Sequence, residues 1–455
     1  MLQFYHITLL HLIIKNCLFM KLLGKLIFKI CRDCAMNKSN ILYMLGILIG
    51  TNTTCFAENL SDVNRTNLTG DWNGLRTQLE NEGIKFDSSL NLDIAYLADG
   101  GSKPRLDPTY VSQLTLGSTL DLDKLMNLEG VSVRALIMAR QGQSVSVEQI
   151  SDPEAPQLAN VQANYGRGNS GTRLAELSVE KIFSDLDTSV RIGRFAMGTY
   201  FNVMSCDFQN NSFCGAQMGK WQGSKWINAP VSQWALMSKY SFNPEAFIQF
   251  GVFEYNPKNL EESEGWNFST NDADGVNIPV EFVWQPKKGI NELPGIYRLG
   301  GFYNTAHDVK NQKDIVTGEP QDHTYGMWGV AEQQLTQKDS THQGLYAFMN
   351  FSFHDQTTNK VENMQQMGLK YVGLLNHHPN DIVGFAMNRV DVSDRYSQIH
   401  QVINEEAEYN IELNYSYFPM KWLMLRPNIQ YVINPGATNN VDNALVLGLS
   451  SKIIF

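Results

Sequence analysis

Apolar and polar residues alternate along most of the chain after residue 86, most clearly near its C-terminal end. Every second residue from Tyr409 to Tyr417 is apolar, and the residues between them are Asn410, Glu412, Asn414 and Ser416. Segments 425–433 and 445–455 repeat this alternation. Successive side chains of a β-strand point to opposite faces. The pattern therefore predicts strands with one apolar and one polar face.

Sixteen such runs can be separated by turn-forming residues. They begin near Phe86, Ser112, Val131, Thr172, Thr188, Trp234, Ala246, Gly275, Gly295, Thr324, Gln343, Val361, Asp381, Glu406, Leu423 and Asn443. Most are longer than the ~5–6 residues common in soluble proteins, and their length suits tilted membrane-spanning strands. We expect an all-β fold, a transmembrane antiparallel β-barrel of about 16 strands.

The connections and the aromatic residues support a membrane barrel over a soluble β-fold. Short connections such as 241–246 and 373–381 alternate with longer ones at 141–171, 198–233 and 257–274. Tight turns at one end and long loops at the other are typical of outer-membrane barrels. Aromatic residues near the predicted strand ends would suit membrane interfaces, although they could also pack a soluble core. The last alternating run ends in Phe455, and we expect the barrel assembly machinery to recognise this strand.

The first part of the chain differs from the rest and predicts four segments. Residues 36–57 resemble a signal peptide, because Lys38 precedes the apolar stretch 41–50. Cys55 and Ala57 then form a cleavage motif of two small residues separated by one position. A membrane anchor or a lipoprotein cysteine at Cys55 is the alternative. We expect residues 1–35 to be an over-long gene start, 36–57 a signal peptide, 58–85 an N-terminal helical segment and 86–455 the β-barrel domain.

The stretch LTGDWNGLRTQLENEGI, residues 68–84, predicts a short amphipathic helix before the first strand. Asp71 could cap its free N–H groups, and Gly83 could end it in a left-handed conformation. Trp72, Leu75 and Leu79 are spaced for one apolar stripe. A helix of roughly three turns is too short to be stable alone, so we expect this stripe to pack on the periplasmic end of the barrel and to narrow or brace that opening. The alternative is an ordinary tether helix.

The charge balance excludes one class of function and leaves others open. The formal net charge is -10, which disfavours a nucleic-acid-binding protein. Residues 58–455 carry 30 basic and 45 acidic residues, so this part alone has a net charge of -15. No catalytic motif, metal site or cofactor site is evident. His377 and His378 lie in a predicted turn without a third ligand.

Two cysteines remain after the leader, and they are eight positions apart. Cys206 and Cys214 lie within one of the long predicted loops. In an exported protein, such a pair predicts a disulfide, with two free thiols as the alternative.

Charged residues opposite the apolar positions are candidates for the lining of a pore. Placing Arg or Lys on the lipid face near the bilayer midplane costs about 2–4 kcal/mol, so clean alternation points these residues inward. Arg194 breaks the alternation of its strand and could belong to the strand's end. Alternatively, these charges only neutralise one another. The candidate pore residues are Arg134, Arg140, Glu176, Glu180, Arg191 and Arg298.

The chain resembles the carbohydrate-selective porins, the OprB-like family of Gram-negative outer membranes, over roughly residues 66–455. The resemblance is carried by LTGDWNGLRTQLENEGI and by five later blocks in the same order: RLAELSVEKIFSDLDTSVRIGRF, FQNNSFCG, YRLGGFYNTA, HPNDIVGFAMNRV and the ending RPNIQYVINPG…NALVLGLSSKIIF. Asn73 stands where the family motif usually has a second Gly. The cysteine pair is not a feature that we can assign to the family.

The resemblance implies a sixteen-stranded barrel in the cell outer membrane through which small sugars such as monosaccharides diffuse passively. It also implies a monomer whose constriction is lined by charged and aromatic side chains. The expected partners are these sugars and outer-membrane lipid, and no cofactor is expected. The alternatives are a general or cation-selective diffusion channel and, less favoured, an adhesin or an enzyme built on a barrel.

Overall fold

A computed structural model describes residues 65–103, 107–164, 171–307, 310, 312–339 and 342–455. The predicted gene-start segment 1–35 and signal peptide 36–57 lie outside the described residues. Among the residues described, no helix is both long and apolar enough to cross a membrane.

Sixteen antiparallel strands form one closed barrel in which each strand pairs with its neighbours in the sequence and β1 pairs with β16. The strands are β1 Ile84–Gly101, β2 Thr109–Asp121, β3 Val131–Gly142, β4 Thr172–Phe183, β5 Thr188–Phe195, β6 Gln233–Asn243, β7 Ala246–Glu254, β8 Val276–Trp284, β9 Gly295–Asn304, β10 Thr324–Gln334, β11 Gly344–His354, β12 Val361–Val372, β13 Ile382–Val392, β14 Ala407–Met420, β15 Leu423–Ile433 and β16 Asp442–Ile454.

The barrel and its strand number are as the alternation predicts. The predicted and observed first residues nearly coincide along the whole chain, and the largest difference is in β2, which begins at Thr109 and not at Ser112. β1 begins at Ile84, slightly before the predicted Phe86. Strand positions follow the sequence closely because one face of each strand must stay apolar.

The two faces of β14 show how the alternation is used. Leu413 points out of the barrel and is 48% exposed, whereas Glu412 beside it points into the lumen and is fully buried. Every second residue along the inner face of this strand is also buried: Glu408, Asn410, Asn414 and Ser416. The polar face of the strand is thus the inner face.

The two ends of the barrel differ in the length of their connections. One end, here called the terminal end, carries both the N-terminal helical segment and Phe455, with the connections 122–130, 184–187, 244–245, 285–294, 335–343, 373–381 and 421–422. The opposite end, the loop end, carries the connections L1 102–108, L2 143–171, L3 196–232, L4 255–275, L5 305–323, L6 355–360, L7 393–406 and L8 434–441.

Short helices lie only outside the strands in the described part of the chain. The α-helices are α1 Leu75–Asn81, α2 Leu122–Met126, α3 Met218–Trp221 and α4 Asp394–Ile399. A π-helical turn covers Ser146–Ile150, and 3-10 turns cover Trp72–Gly74, Ser184–Leu186, Met197–Thr199, Asn211–Phe213, Gly223–Lys225, Pro257–Leu260, Glu262–Glu264 and Ile290–Glu292.

The N-terminal helix forms where predicted, but the residue that it buries is different. Trp72 and Leu75 of the expected apolar stripe remain 37% and 49% exposed, so the end of the barrel covers these side chains only in part. Arg76 is buried instead, and its guanidinium donates to the main-chain oxygen of Phe455 at 2.9 Å. Trp72 packs against Phe86, which lies on the outer face of β1, with ring centroids 5.5 Å apart.

The ends of this helix follow the predicted signals with one change. Asp71 accepts from the backbone N–H of Thr77 at 2.9 Å, so it satisfies a free amide of the first turn of α1. It does so across Gly74, which breaks the predicted helix into a 3-10 turn and α1. Gly83 follows the helix with a φ of 104°, a conformation that glycine adopts without strain.

Two of the long loops fold into the barrel and pack against its inner wall. L3 contributes Phe201, Phe213 and Trp226 to an apolar cluster with the inward side chains Trp328 and Phe348. L2 contributes Val145, Ile150 and Val161 to a second cluster against β1, β15 and β16. The main chains of the loops are also joined, because Ala163 donates to Gln209 and Asn211 donates to Asn160. The lumen is therefore narrowed by L2 and L3 together.

Candidate functional site

A row of charged side chains lies on the inner face of β1, β3, β4 and β5, and we call it the charged strip. It consists of Asp87, Arg134, Glu176, Glu180 and Arg191. Glu176 is at its centre and is 2% exposed. Arg134 Nε lies 3.4 Å from one of its oxygens, and Arg191 Nη1 lies 3.1 Å from the other. The strip alternates cations and anions, so each charge stabilises its neighbour.

The two ends of the strip remain open to the lumen. Arg134 lies 3.8 Å from Asp87, and these side chains are 38% and 34% exposed. At the other end, Arg191 donates to Glu180, which is 20% exposed. Donors and acceptors in fixed positions are thus presented to solvent next to a buried centre.

L3 supplies an aromatic side chain to the strip. The hydroxyl of Tyr200 donates to Glu176 Oε1 at 2.6 Å, and the guanidinium of Arg191 lies 4.9 Å from the centre of the Tyr200 ring. Burial, and secondarily the charge of Glu176, raise the pKa of Tyr200, so it remains a hydrogen-bond donor. The strip is therefore in direct contact with the loop that narrows the lumen.

Of the six predicted pore residues, the structure brings four together and places two elsewhere. Arg134, Glu176, Glu180 and Arg191 form the strip. Arg140 also faces inward, but it donates to Gln113 at 2.6 Å. Arg298 lies on β9 and pairs with the buried Glu281 at 3.2 Å.

Arg194, which breaks the alternation, lies at the loop end of β5. Its register places it beside the outward residue Leu177, yet it is 2% exposed because L4 covers it. It donates to the main-chain oxygens of Asn267 and Ser232. Arg194 thus binds a loop and does not line the lumen.

A second group of charges on the inner wall is not among the predicted residues. Lys370 on β12 lies 2.7 Å from Asp207 of L3 and 3.9 Å from Glu332 on β10, and Arg426 on β15 lies 3.7 Å from Asp207. Burial alone would raise the pKa of Asp207, but the charges of Lys370 and Arg426 outweigh it and hold this pKa below its usual value. The alternation already points Arg426 inward, whereas its partner in L3 has no sequence signal.

The predicted cysteine pair lies in L3, and Cys206 directly precedes Asp207 of the second group. Cys206 and Cys214 are bonded, with their Cα atoms 4.4 Å apart, and they close the tip of L3 around Gln209 and Asn210. The tip touches β14 and β15 through hydrogen bonds of Asn210 to Asn410 and Gln430. L3 therefore extends along the inner wall from the strip at β4 to the opposite strands.

A closed sixteen-stranded barrel with an apolar outer face, inward-folded loops and a charged lumen defines a porin of the outer membrane. A family profile described as the carbohydrate-selective porin, OprB family, matches residues 105–455. The chain belongs to this family of Gram-negative outer-membrane sugar channels.

Similar proteins agree with this assignment. Porin B of Pseudomonas aeruginosa is 37% identical over 441 residues, covering 91% of this chain and 96% of that protein. A protein named Putative porin QuiX from Acinetobacter baylyi is 38% identical over 412 residues, covering 85% of this chain and 93% of its own. The high-pH structure of Pseudomonas putida OprB superposes with a TM-score of 0.82 at 38% identity, covering 87% of this chain and 99% of that chain.

Proposed function

We propose that this porin lets small sugars such as monosaccharides diffuse down their gradient into the periplasm, and that the charged strip is where they contact the wall. The supporting observation is that Arg134 and Asp87 are paired yet more than a third exposed. Their remaining donors and acceptors face the lumen, where they can replace part of the water around a sugar's hydroxyl groups. No step of this process consumes energy.

The paired charges favour neutral polyhydroxyl solutes. A guanidinium offers five N–H donors in a plane, and a carboxylate offers two acceptor oxygens. Because each cation of the strip is next to an anion, an ionic solute of either sign also meets a charge of its own sign, which repels it. A sugar meets both kinds of partner without that penalty.

A general or cation-selective channel is the second candidate, favoured by the acidic balance of residues 58–455, which carry 45 acidic and 30 basic residues. In single-channel recordings with asymmetric salt, strong cation selectivity without block by sugars would support it. A barrel with no conductance would favour an adhesin or an enzyme.

Permeation through purified protein in liposomes tests the sugar channel. Glucose is compared with amino acids of similar size, and R134Q and R191Q are compared with the unchanged protein. Arg389→Gln is the matched control, because Arg389 has the same 38% exposure as Arg134 and also pairs with a carboxylate, yet it lies on the outer register of β13. In single-channel recordings we expect both strip variants to weaken the block of ion conductance by glucose several-fold, and R389Q to leave this block unchanged.

Two results would contradict the proposal in different ways. Glucose uptake no faster than in empty vesicles would remove the sugar-channel function. Glucose uptake with equal behaviour of R134Q, R191Q and R389Q would keep the channel and remove the role of the strip.

We also propose that the barrel works as a monomer surrounded by lipid, with its terminal end in the periplasm. The outward side chains on neighbouring strands are apolar and strongly exposed, for example Leu299, Met327 and Met349. Cross-linking in native membranes tests the oligomeric state. Recognition by the barrel assembly machinery through the last strand is tested with F455A, which we expect to reduce the amount of folded barrel in cells.

A further inference from the structure

One carboxylate on the inner wall holds the tip of L3 by two consecutive main-chain amides. Glu412 Oε1 accepts from the N–H of Gln209 at 2.9 Å, and Glu412 Oε2 accepts from the N–H of Asn210 at 2.8 Å. Asn414 donates to Oε1 at 3.0 Å. Glu412 is fully buried, and hydrogen bonds from polar groups are what makes burial of such a group tolerable.

The same arrangement recurs four residues earlier on β14. Glu408 accepts from the N–H groups of Leu158 at 2.7 Å and Ala159 at 2.9 Å, two consecutive residues of L2. It also accepts from Gly436 of L8 at 2.8 Å. Because residues four apart on a strand share a face, β14 presents two carboxylates that each bind a different inward loop.

The position of the Glu412 contact within L3 makes it a determinant of pore width. Gln209 and Asn210 lie within the segment of L3 that the Cys206–Cys214 disulfide closes. L3 also carries Tyr200 to the charged strip and Asp207 to the second group of charges. Glu281 of β8 holds the first part of L3 by accepting from the N–H of Asn202 at 2.9 Å. Holding the tip of L3 therefore fixes where the rest of the loop stands in the lumen.

We propose that Glu412 is a positioning residue for sugar selection: it docks L3 on β14 and so sets the size limit of the pore. The inference rests on the proposed sugar channel, because it concerns which sugars pass. Glu412 itself is fully buried beneath the loop, so it acts through L3 and not by contact with the sugar.

Two kinds of variant remove the contact from opposite sides. E412Q keeps the shape of the side chain but replaces one acceptor oxygen with an NH2 group that faces an N–H donor. N210P removes the loop N–H and leaves the charge of Glu412 in place, and the φ of Asn210, -67°, is the value that proline requires. N210A removes only the side chain, so the difference between N210P and N210A isolates the main-chain hydrogen bond.

The readout is the swelling of liposomes in neutral sugars of increasing size, from a monosaccharide to a trisaccharide. Neutral solutes report pore size independently of the charge that E412Q removes. Loss of a hydrogen bond to a charged acceptor lowers the ratio of docked to undocked loop by about tenfold or more. We expect the trisaccharide-to-monosaccharide rate ratio to rise several-fold in E412Q and N210P and clearly less in N210A.

Controls separate this effect from misfolding and from charge. E406Q makes the same substitution just before β14, where Glu406 is 90% exposed and pairs only with Arg389 among the contacts of its side chain described. It should leave the size profile unchanged. The heat-dependent gel mobility of each variant shows whether the barrel is closed, and if E412Q does not fold, N210P against N210A decides the question.

Three outcomes overturn the proposal. The first is a wild-type size profile in folded E412Q and N210P, and the second is an equal effect of N210A and N210P. In the third, unchanged protein passes sugars but E406Q widens the pore as much as E412Q. If unchanged protein passes no sugar at all, the proposed function fails, and ion conductance, which we expect to rise in E412Q and N210P, then tests the docking of L3 separately.

Discussion

The inner walls of β4 and β14 carry the same residue type at the same kind of position and use it differently. On β4, Glu176 and Glu180 bind the guanidinium groups of neighbouring strands, and the outer members of their strip stay open to the lumen. On β14, Glu408 and Glu412 bind main-chain amides of L2 and L3 and are fully buried. One wall leaves part of its charge open to the lumen, and the other holds the loops.

The difference shows that direction and partner are separate properties of a lumen-facing residue. The alternation of the strand decides that a carboxylate points inward. Whether it meets an arginine or a backbone amide depends on which segment lies opposite it. A charge map of the lumen that ignores the loops would count Glu412 as pore-lining, although L3 covers it.

Removal of the centre of the charged strip should have the largest effect on stability. In E176A, Arg134, Arg191 and Tyr200 all lose the partner that they share. Breaking a buried ion pair costs about 3–5 kcal/mol, so the free energy of unfolding should fall by that order. Urea unfolding of the protein refolded in detergent measures it. E180Q, at the partly exposed end of the strip, is the control, and an equal loss in both variants would show that Glu176 is not the centre.

The contrast between the inner and outer faces of β14 gives the next prediction. Leu413 lies beside Glu412 but faces outward and is 48% exposed. L413R should reduce the free energy of folding into bilayers by about 2–4 kcal/mol, because it places a cation on the lipid face. The folded fraction in vesicles is the measurement, with I411V on the same face as a mild control. A neutral effect of L413R would mean that this face does not contact lipid.

L3 is also held through a cation of its own, which gives a pH-dependent prediction. Lys225 is 5% exposed and donates to the main-chain oxygen of Thr358 and to Asn359 Oδ1 in L6. Burial lowers the pKa of Lys225 to about 8 from 10.5, with Asp355 opposing the shift. Between these two pH values the unfolded chain binds a proton that the folded protein has released. The free energy of unfolding should therefore rise with pH across this window.

K225M should remove that rise, whose slope within the window is about 1.4 kcal/mol per pH unit. Urea unfolding at pH 7.5 and at pH 10.5 gives the comparison. K288M, at a side chain that is 77% exposed, should keep the pH dependence of the unchanged protein. The same slope in all three proteins would show that Lys225 stays charged in the folded state.

The smallest predicted effect concerns the terminal end, where an arginine binds a main-chain oxygen. R76A removes the hydrogen bond to Phe455 and should lower the free energy of unfolding by about 1–3 kcal/mol. E80Q weakens only the partly exposed Arg76–Glu80 pair at 3.7 Å, and we expect at most about 1 kcal/mol from it. Thermal unfolding of both variants in detergent distinguishes them. A larger loss in E80Q would assign the role of Arg76 to that pair.

The sequence predicts the barrel well because lipid imposes one simple rule on each strand. Every strand must show an apolar face to the membrane, so the alternation marks both its position and its inner residues, such as Glu176 and Arg191. The docking of L3 follows no local rule. Gln209 and Glu412 are 203 positions apart, and nothing in the residues around either one specifies the other.

The N-terminal helix shows where a local rule gives the wrong result. An apolar stripe normally packs into a protein because water lies outside it. Trp72 instead lies beside the outward-facing Phe86, at a place where an aromatic side chain suits a membrane interface. Arg76 is buried because it binds Phe455 at the other end of the chain. The sequence of the helix alone does not predict this partner.

The N-terminal segment and the last residue meet where β1 pairs with β16. Leu68 donates to Ile454 at 2.7 Å, Phe455 donates to Ser88 at 3.0 Å, and Arg76 binds Phe455. Truncation from either side therefore weakens the same pair of strands. A chain that loses this pairing exposes two unpaired strand edges, and such edges readily pair with those of another copy. Residues from both ends of the described chain thus support the strand pairing that leaves the barrel without a free edge.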